Sequence, residues 1–181
     1  MQHTTCGGLN AVLWALVCLS NVFCGQVAAQ ARQSVGSLEV PQIRPRDLAD
    51  LIKSGRVRVI VFDVRSADEF AVSHLPGATR VSYDAAPDLF VSSIARRARS
   101  AHVVFYCTLG ARSAGFAINV IDGLRQVGVR NVYTMSNGII GWSNARLPLV
   151  DHKGPTQFVH PYDLGTSKAL IRPHLARFDA R

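Results

Sequence analysis

Charged residues are missing altogether from the first 31 positions of this 181-residue chain, which elsewhere holds 20 Lys+Arg and 12 Asp+Glu. The whole net charge of +8 therefore falls on the remaining 150 residues, and the uncharged segment is read apart from the folded domain. Cysteine is nearly as scarce. Cys6, Cys18 and Cys24 lie in the uncharged segment, so Cys107 is the one thiol of the rest of the chain. A chain that loses its first segment has no internal disulfide, and its remaining sulfur either bridges to another molecule, reacts, or fills space as a small hydrophobe. With 18% charged and 48% hydrophobic residues the chain is no disordered polymer. The length suits one domain, a typical unit being about 150 residues. There are no internal repeats, and no basic motif is interleaved with aromatics, which argues against nucleic acid as a partner.

The apolar run Ala11 to Leu19 is followed by Ser20 and Asn21 and then by small residues, with Val27-Ala28-Ala29 and Ala29-Gln30-Ala31 both placed for signal peptidase. A core of this length is short for a bilayer span and reads as a secretory signal over residues 1–31. No Lys or Arg precedes the core; the amino terminus and His3 supply what charge there is. An uncleaved anchor is the alternative, a buried helix the plainer one, and no Cys here has a lipoprotein setting. The expected location is outside the cytoplasm, periplasmic or secreted, with membrane attachment only if the signal stays on.

From Ser37 to Val150 strand and helix patterns alternate. Arg44-Pro45-Arg46-Asp47 opens a helix carrying Leu48, Leu51 and Ile52, with Gly55 after its end. Strands are predicted over Arg56–Phe62, Ala78–Val81, His102–Tyr106 and Asn131–Met135. Helices are predicted over Ala67–Ser73, Asp88–Arg99 and from Phe116 to Val127, with Gly128 as a stop. His102–Tyr106 is a short continuous apolar run, as expected of a strand buried on both faces. Such alternation implies an α/β fold with a parallel sheet between helices.

In open α/β sheets chemistry gathers beyond the carboxyl ends of the strands, and Cys107 sits there. It opens the loop Cys107-Thr108-Leu109-Gly110-Ala111-Arg112-Ser113. Successive backbone N–H groups in such a turn, backed by a helix N-terminus, make a concave anion site. Gly110 permits a positive φ, Ser113 is placed to cap the helix, and Arg112 is a permanent cation beside the anion. A helix N-terminus (about 0.3–2 kcal/mol) and a close cation both favour the thiolate against desolvation. Cys107 is thus expected to be the nucleophile.

These residues, with Asp63-Val64-Arg65, Glu69-Phe70, His74-Leu75-Pro76-Gly77-Ala78 and Asn137-Gly138-Ile139-Ile140-Gly141-Trp142, resemble the rhodanese family in its single-domain form. The resemblance runs from about Leu38 to Val150 and divides the chain into a signal (1–31), a rhodanese-like domain (38–150) and a C-terminal extension (151–181). It implies a five-stranded parallel sheet with helices on both faces. Three positions depart from the family: Ser73 and Arg146 stand where Gly is usual, and Asn137 replaces the first of two glycines. All three lie outside the Cys107 loop.

The resemblance further implies a sulfurtransferase. Cys107 would take the sulfane sulfur of a small anionic donor such as thiosulfate, and the resulting persulfide would pass it to cyanide, a thiol or a protein acceptor. Thr108, Leu109, Gly110, Ala111, Arg112 and Ser113 would bind the substrate, and no metal or other cofactor is called for. Phosphatases and arsenate reductases of the same fold have five residues between Cys and Arg, whereas here there are four, and the loop offers no acid for a leaving group. A partner-binding or sulfur-carrier module without catalysis is the third alternative.

Asp63 and Arg65 are expected to fix the turn after their strand, together with groups like Glu69, and His74 to be structural near the site. Trp142 is expected in the core. Arg96, Arg97 and Arg99 form a basic helix face that is ordinarily solvated but is able to dock an acidic partner or a membrane surface. In the extension, Lys168–Leu170 is expected to make one helical turn before Pro173. His152, His160 and His174 match no metal-ligand spacing, and the role of the extension is not legible.

Overall fold

Short runs rich in valine and aromatics give the strands, and helices with one apolar stripe lie between them. The computed structural model describes residues 40–180; the signal expected over 1–31 and the first two residues of the expected 38–150 domain lie outside the described residues. The strands are β1 (Gln42–Ile43), β2 (Val59–Asp63), β3 (Thr79–Arg80), β4 (His102–Tyr106) and β5 (Asn131–Met135). They form one sheet in the order β1-β5-β4-β2-β3 with every pairing parallel. Helices α1 (Pro45–Ser54), α2 (Ala67–Val72), α3 (Pro87–Ala98), α4 (Ala111–Gln126) and α5 (Gly138–Asn144) connect and follow them.

The pleat of β4 divides the core. Successive side chains of a strand point to opposite faces, so Val103, Phe105 and Cys107 pack with α3 and α4, while Val104 and Tyr106 pack with α1 and α5. On the first face Phe62, Phe90, Phe105 and Phe116 form a cluster with ring centroids 5.0 to 5.8 Å apart, several of them edge to face, a geometry favoured by the ring quadrupole.

The predicted strand at Arg56–Phe62 starts later, at Val59, because pairing begins only where His102 of β4 stands opposite. The one at Ala78–Val81 shrinks to two residues at the sheet's edge. Helix α3 begins one residue earlier than expected, with Pro87 in its first turn, where a missing N–H costs nothing. Of the three departures from the family pattern, Asn137 (φ 57°) and Arg146 (φ 59°) hold left-handed backbone that glycine adopts freely. Ser73 (φ −172°) is extended and has no need of glycine.

The extension packs back on the second face. Strand β6 (Leu149–Asp151) pairs antiparallel with β7 (Gly154–Thr156), and Val150 bridges to His74. Val159 and Leu170 join the α1/α5 core, and Asn144 holds the chain through Ala169 O (2.9 Å) and Ile171 N–H (2.8 Å). The turn expected over Lys168–Leu170 starts earlier, as α6 (Leu164–Ser167), because the Asp163 carboxylate accepts from Thr166 N–H at 2.6 Å and caps it there, and it runs on until Leu170 N–H donates to Ser167 O at 3.0 Å.

Candidate functional site

Cys107 follows directly on β4, and its side chain is 2% exposed. Its Sγ accepts a hydrogen bond from Gly110 N–H at 3.1 Å. Gly110 has φ 124°, a conformation L side chains rarely adopt, and this curls the loop back over the sulfur. Gly110 is also the residue before α4 and has no side chain to cap the helix. The N–H groups of Ala111, Arg112 and Ser113, without partners in the first helical turn, therefore remain available to an anion. Ser113 does not cap them as expected; its hydroxyl donates to Gly110 O at 2.9 Å and braces the turn.

The loop is pinned from below. Ile139 N–H donates to Cys107 O (2.9 Å) and Ile140 N–H to Thr108 O (3.3 Å). Gly138, at φ 48°, lies so close that a Cβ there would stand 2.2 Å from Cys107 O and 2.5 Å from Thr108 O.

Arg112 is not a free cation beside the sulfur. Its Nη1 and Nη2 donate to the two carboxylate oxygens of Glu69 at 2.8 and 2.7 Å, and Nη2 also reaches Thr108 Oγ1 at 2.7 Å. Thr108 in turn donates to Glu69 Oε1 at 2.8 Å. Glu69 is held at the other end by a capping box, accepting from Ser66 N–H at 3.1 Å while its own N–H donates to the Ser66 hydroxyl. Burial alone would raise the Glu69 carboxyl, but Arg112, Ser66 and Thr108 outweigh it and hold the group at about 2. The same hydrogen bond raises Arg112, against the cost of its burial. Tyr162, from the extension, closes the outer face of the guanidinium, its ring centroid 4.8 Å from Arg112 Cζ.

Glu69 is thus the residue that the sequence placed in the wrong company. It makes no hydrogen bond to Asp63 or Arg65, and only its charge acts on Arg65. Those two form their own pair, fully enclosed, with Arg65 Nε and Nη2 donating to Asp63 at 2.7 to 3.1 Å and Nη2 also to Ser73 O at 2.7 Å. Burial opposes the Arg65 charge, but Asp63 keeps its proton affinity above the ordinary value. Tyr106 beside them is pushed up, chiefly by burial and then by Asp63, and its hydroxyl accepts from Leu75 N–H at 3.2 Å. His74 stacks on Phe70 at 3.8 Å and bonds Phe70 O through Nδ1 at 3.0 Å. The signal for Glu69 was present, since Ser66-Ala67-Asp68-Glu69 is a capping-box sequence. Both of its carboxylate oxygens, however, also accept from Arg112, 43 residues on.

Leu109, an exposed residue, stands between two cavities. One of about 340 Å³ runs along Gly110, Ala111 and Met135, and the other, of about 660 Å³, passes Arg44, Arg46 and Asp50. Among the described residues no three His, Cys, Asp or Glu side chains gather as a metal site.

Solved structures share this architecture. BH2092 protein from Bacillus halodurans is 22% identical with a TM-score of 0.50, covering 70% of this chain and 88% of its own. A thiosulfate sulfurtransferase from Pseudomonas aeruginosa is 26% identical with a TM-score of 0.50, over 72% of this chain, but the match spans only 23% of that longer protein. An As–Sb reductase from Leishmania major is 17% identical with a TM-score of 0.52, covering 59% of this chain and 78% of its own. No curated protein matches in sequence. The profile of the rhodanese-like domain matches residues 44–145, more than half of the chain and all of the Cys107 loop, so this protein belongs to the rhodanese-like domain family.

Proposed function

We propose that the protein is a sulfurtransferase in which Cys107 carries the transferred sulfur. The observation that supports this best is the Cys107 Sγ receiving the Gly110 N–H at 3.1 Å at the head of α4. A thiolate there attacks the outer sulfur of thiosulfate. The new bond is Sγ–S, the S–S bond of the donor breaks, and its electron pair leaves with sulfite. Cys107 persulfide, still an anion, stays under the Gly110 amide and the first-turn N–H groups of α4, which favour negative charge without reorganising. Cyanide or a thiolate then attacks the outer sulfur and the electron pair returns to Sγ. Sulfite leaves as a stable anion, so no general acid is needed. Arg112 serves less as a bare donor-binding charge than as the strut that holds Thr108, since Glu69 already neutralises it.

The uncharged apolar leader supports a role outside the cytoplasm, with a small thiol or protein as acceptor. The likeness to the As–Sb reductase supports a second use of the thiolate, as a reductase nucleophile, though with four residues rather than five between Cys107 and Arg112. Intact mass after thiosulfate treatment separates these. Sulfur transfer requires one added sulfur atom, removed by cyanide and absent from Cys107→Ser. Arsenate turnover without that adduct would assign the site to the reductase, and a silent Cys107 with a bound partner to a non-catalytic module.

A further inference from the structure

Because all five strands are parallel, their amino ends share one edge of the sheet, opposite Cys107, and the helices α1, α3 and α4 end there too. That pole is basic. Lys53 closes α1, Arg56 and Arg58 lead into β2, Arg96, Arg97 and Arg99 close α3, Arg125 closes α4 and Arg130 leads into β5, and all eight are exposed. Register brings them together. Val59 pairs with His102 and His102 with Asn131, so the residues before those strands are neighbours. Arg58 Nη1 donates to Arg97 O at 3.0 Å, and the Arg99 side chain lies along the Gly128 turn.

Helix ends account for only part of this charge. Three helix C-termini offer about half a negative charge each. The acidic side chains nearest these helix ends are Asp122, paired with Arg125 at 3.2 Å, and Asp50, three residues before Lys53. A surplus of more than about four positive charges is left on this pole. Two apolar side chains stand exposed among the cations, Ile52 at 42% and Val57 at 36%. The described chain also begins here: Pro41 O accepts from Thr134 N–H at 2.9 Å beside β1, and Val40 is buried with Val132 at the start of β5.

We propose that this pole docks on an anionic phospholipid surface, leaving the Cys107 face turned away from the bilayer toward its substrates. Cations on an anionic leaflet, with a few apolar side chains between them, are the usual means of peripheral attachment. Among the described residues of the pole the aromatic rings, His102 and Tyr133, are half-buried and stacked on each other rather than exposed among the cations, which disfavours nucleic acid.

The test is co-sedimentation of the full chain with phosphatidylcholine vesicles, with and without phosphatidylglycerol, at rising salt. Binding is expected to favour the anionic vesicles and to weaken with salt, as screening shortens the reach of each charge to about 8 Å at physiological ionic strength. Arg56→Gln, Arg96→Gln and Arg130→Gln together are expected to reduce that binding about a hundredfold, at about fivefold per cation. Lys153→Gln, Arg146→Gln and Lys168→Gln, which remove as much charge elsewhere, should change it by less than about fivefold. Equal losses from the two triple variants, or equal binding to neutral and anionic vesicles, would overturn the proposal, as would duplex DNA outcompeting the vesicles at equal ionic strength. Persulfide loading by thiosulfate should be unchanged in the first triple variant, so the docking surface and the sulfur chemistry stand or fall separately.

Discussion

Two carboxylate–guanidinium pairs lie just past the carboxyl ends of the central strands, and they differ in what surrounds them. Asp63 and Arg65 are wholly enclosed, at 0% exposure for both side chains, and Arg65 Nη1 has no hydrogen-bond partner. Glu69 and Arg112 are joined as closely, at 2.7 Å, but Arg112 keeps 28% of its side chain exposed beneath Tyr162. An enclosed pair of charges cannot exchange partners with solvent, and removing one member leaves the other uncompensated. A pair at the rim can yield to an anion arriving at the neighbouring loop. The first pair therefore holds the turn between β2 and α2, and the second couples α2 to the Cys107 loop.

The contrast is broken most severely by Arg65→Met, which strands the Asp63 carboxylate. A loss of about 3–5 kcal/mol is expected, seen in calorimetry as a melting point lower by about 10 °C. A drop of only a degree or two would show that Asp63 is not the buried charge it is taken for. Replacing both partners, Asp63→Leu with Arg65→Met, should recover most of the loss, because no unpaired charge remains.

The rim pair shows itself in acid. Glu69 has its carboxyl lowered from 4.5 to about 2 in the folded chain, so its contribution is complete above pH 4.5 and disappears as pH falls toward 2. That slice of stability is on the order of 3 kcal/mol. Urea midpoints measured from pH 6 down to 2 should fall more steeply for the wild type than for Glu69→Gln, which has no carboxyl to protonate. Parallel curves would separate Glu69 from the acid response.

The smallest effect is expected of Tyr162→Ala. Losing a ring over a partly exposed guanidinium destabilises by about 0.5–1 kcal/mol, within reach of chemical denaturation, and Tyr162→Phe should retain nearly all of it because the ring face makes the contact. If Phe loses as much as Ala, the phenol hydroxyl is the relevant group instead.

The parts of this molecule that local pattern controls were legible in its sequence. The apolar run of β4, the bounds of β5, the parallel α/β layering and the four-residue spacing from Cys107 to Arg112 all depend on neighbours within a few positions. The partner of Arg112 does not. One end of Glu69 obeys a local capping rule, but the other meets a loop 43 residues away, and only the packing of α2 against the sheet brings them together. Tyr162 was hidden for the same reason, since the route of the extension is set by Val159 and Leu170 entering a core built by distant elements. Two departures from the family pattern, Asn137 and Arg146, hold left-handed backbone of the kind glycine adopts freely.

The contact at Gly138 has a wider bearing. There is no room for even one carbon between it and the Cys107 and Thr108 carbonyls, so the sulfur-bearing turn can lie this close to α5 only while position 138 is glycine. Any side chain at position 138 would have to push the Cys107 and Thr108 carbonyls away from α5, whose Ile140 and Gly141 line the larger cavity.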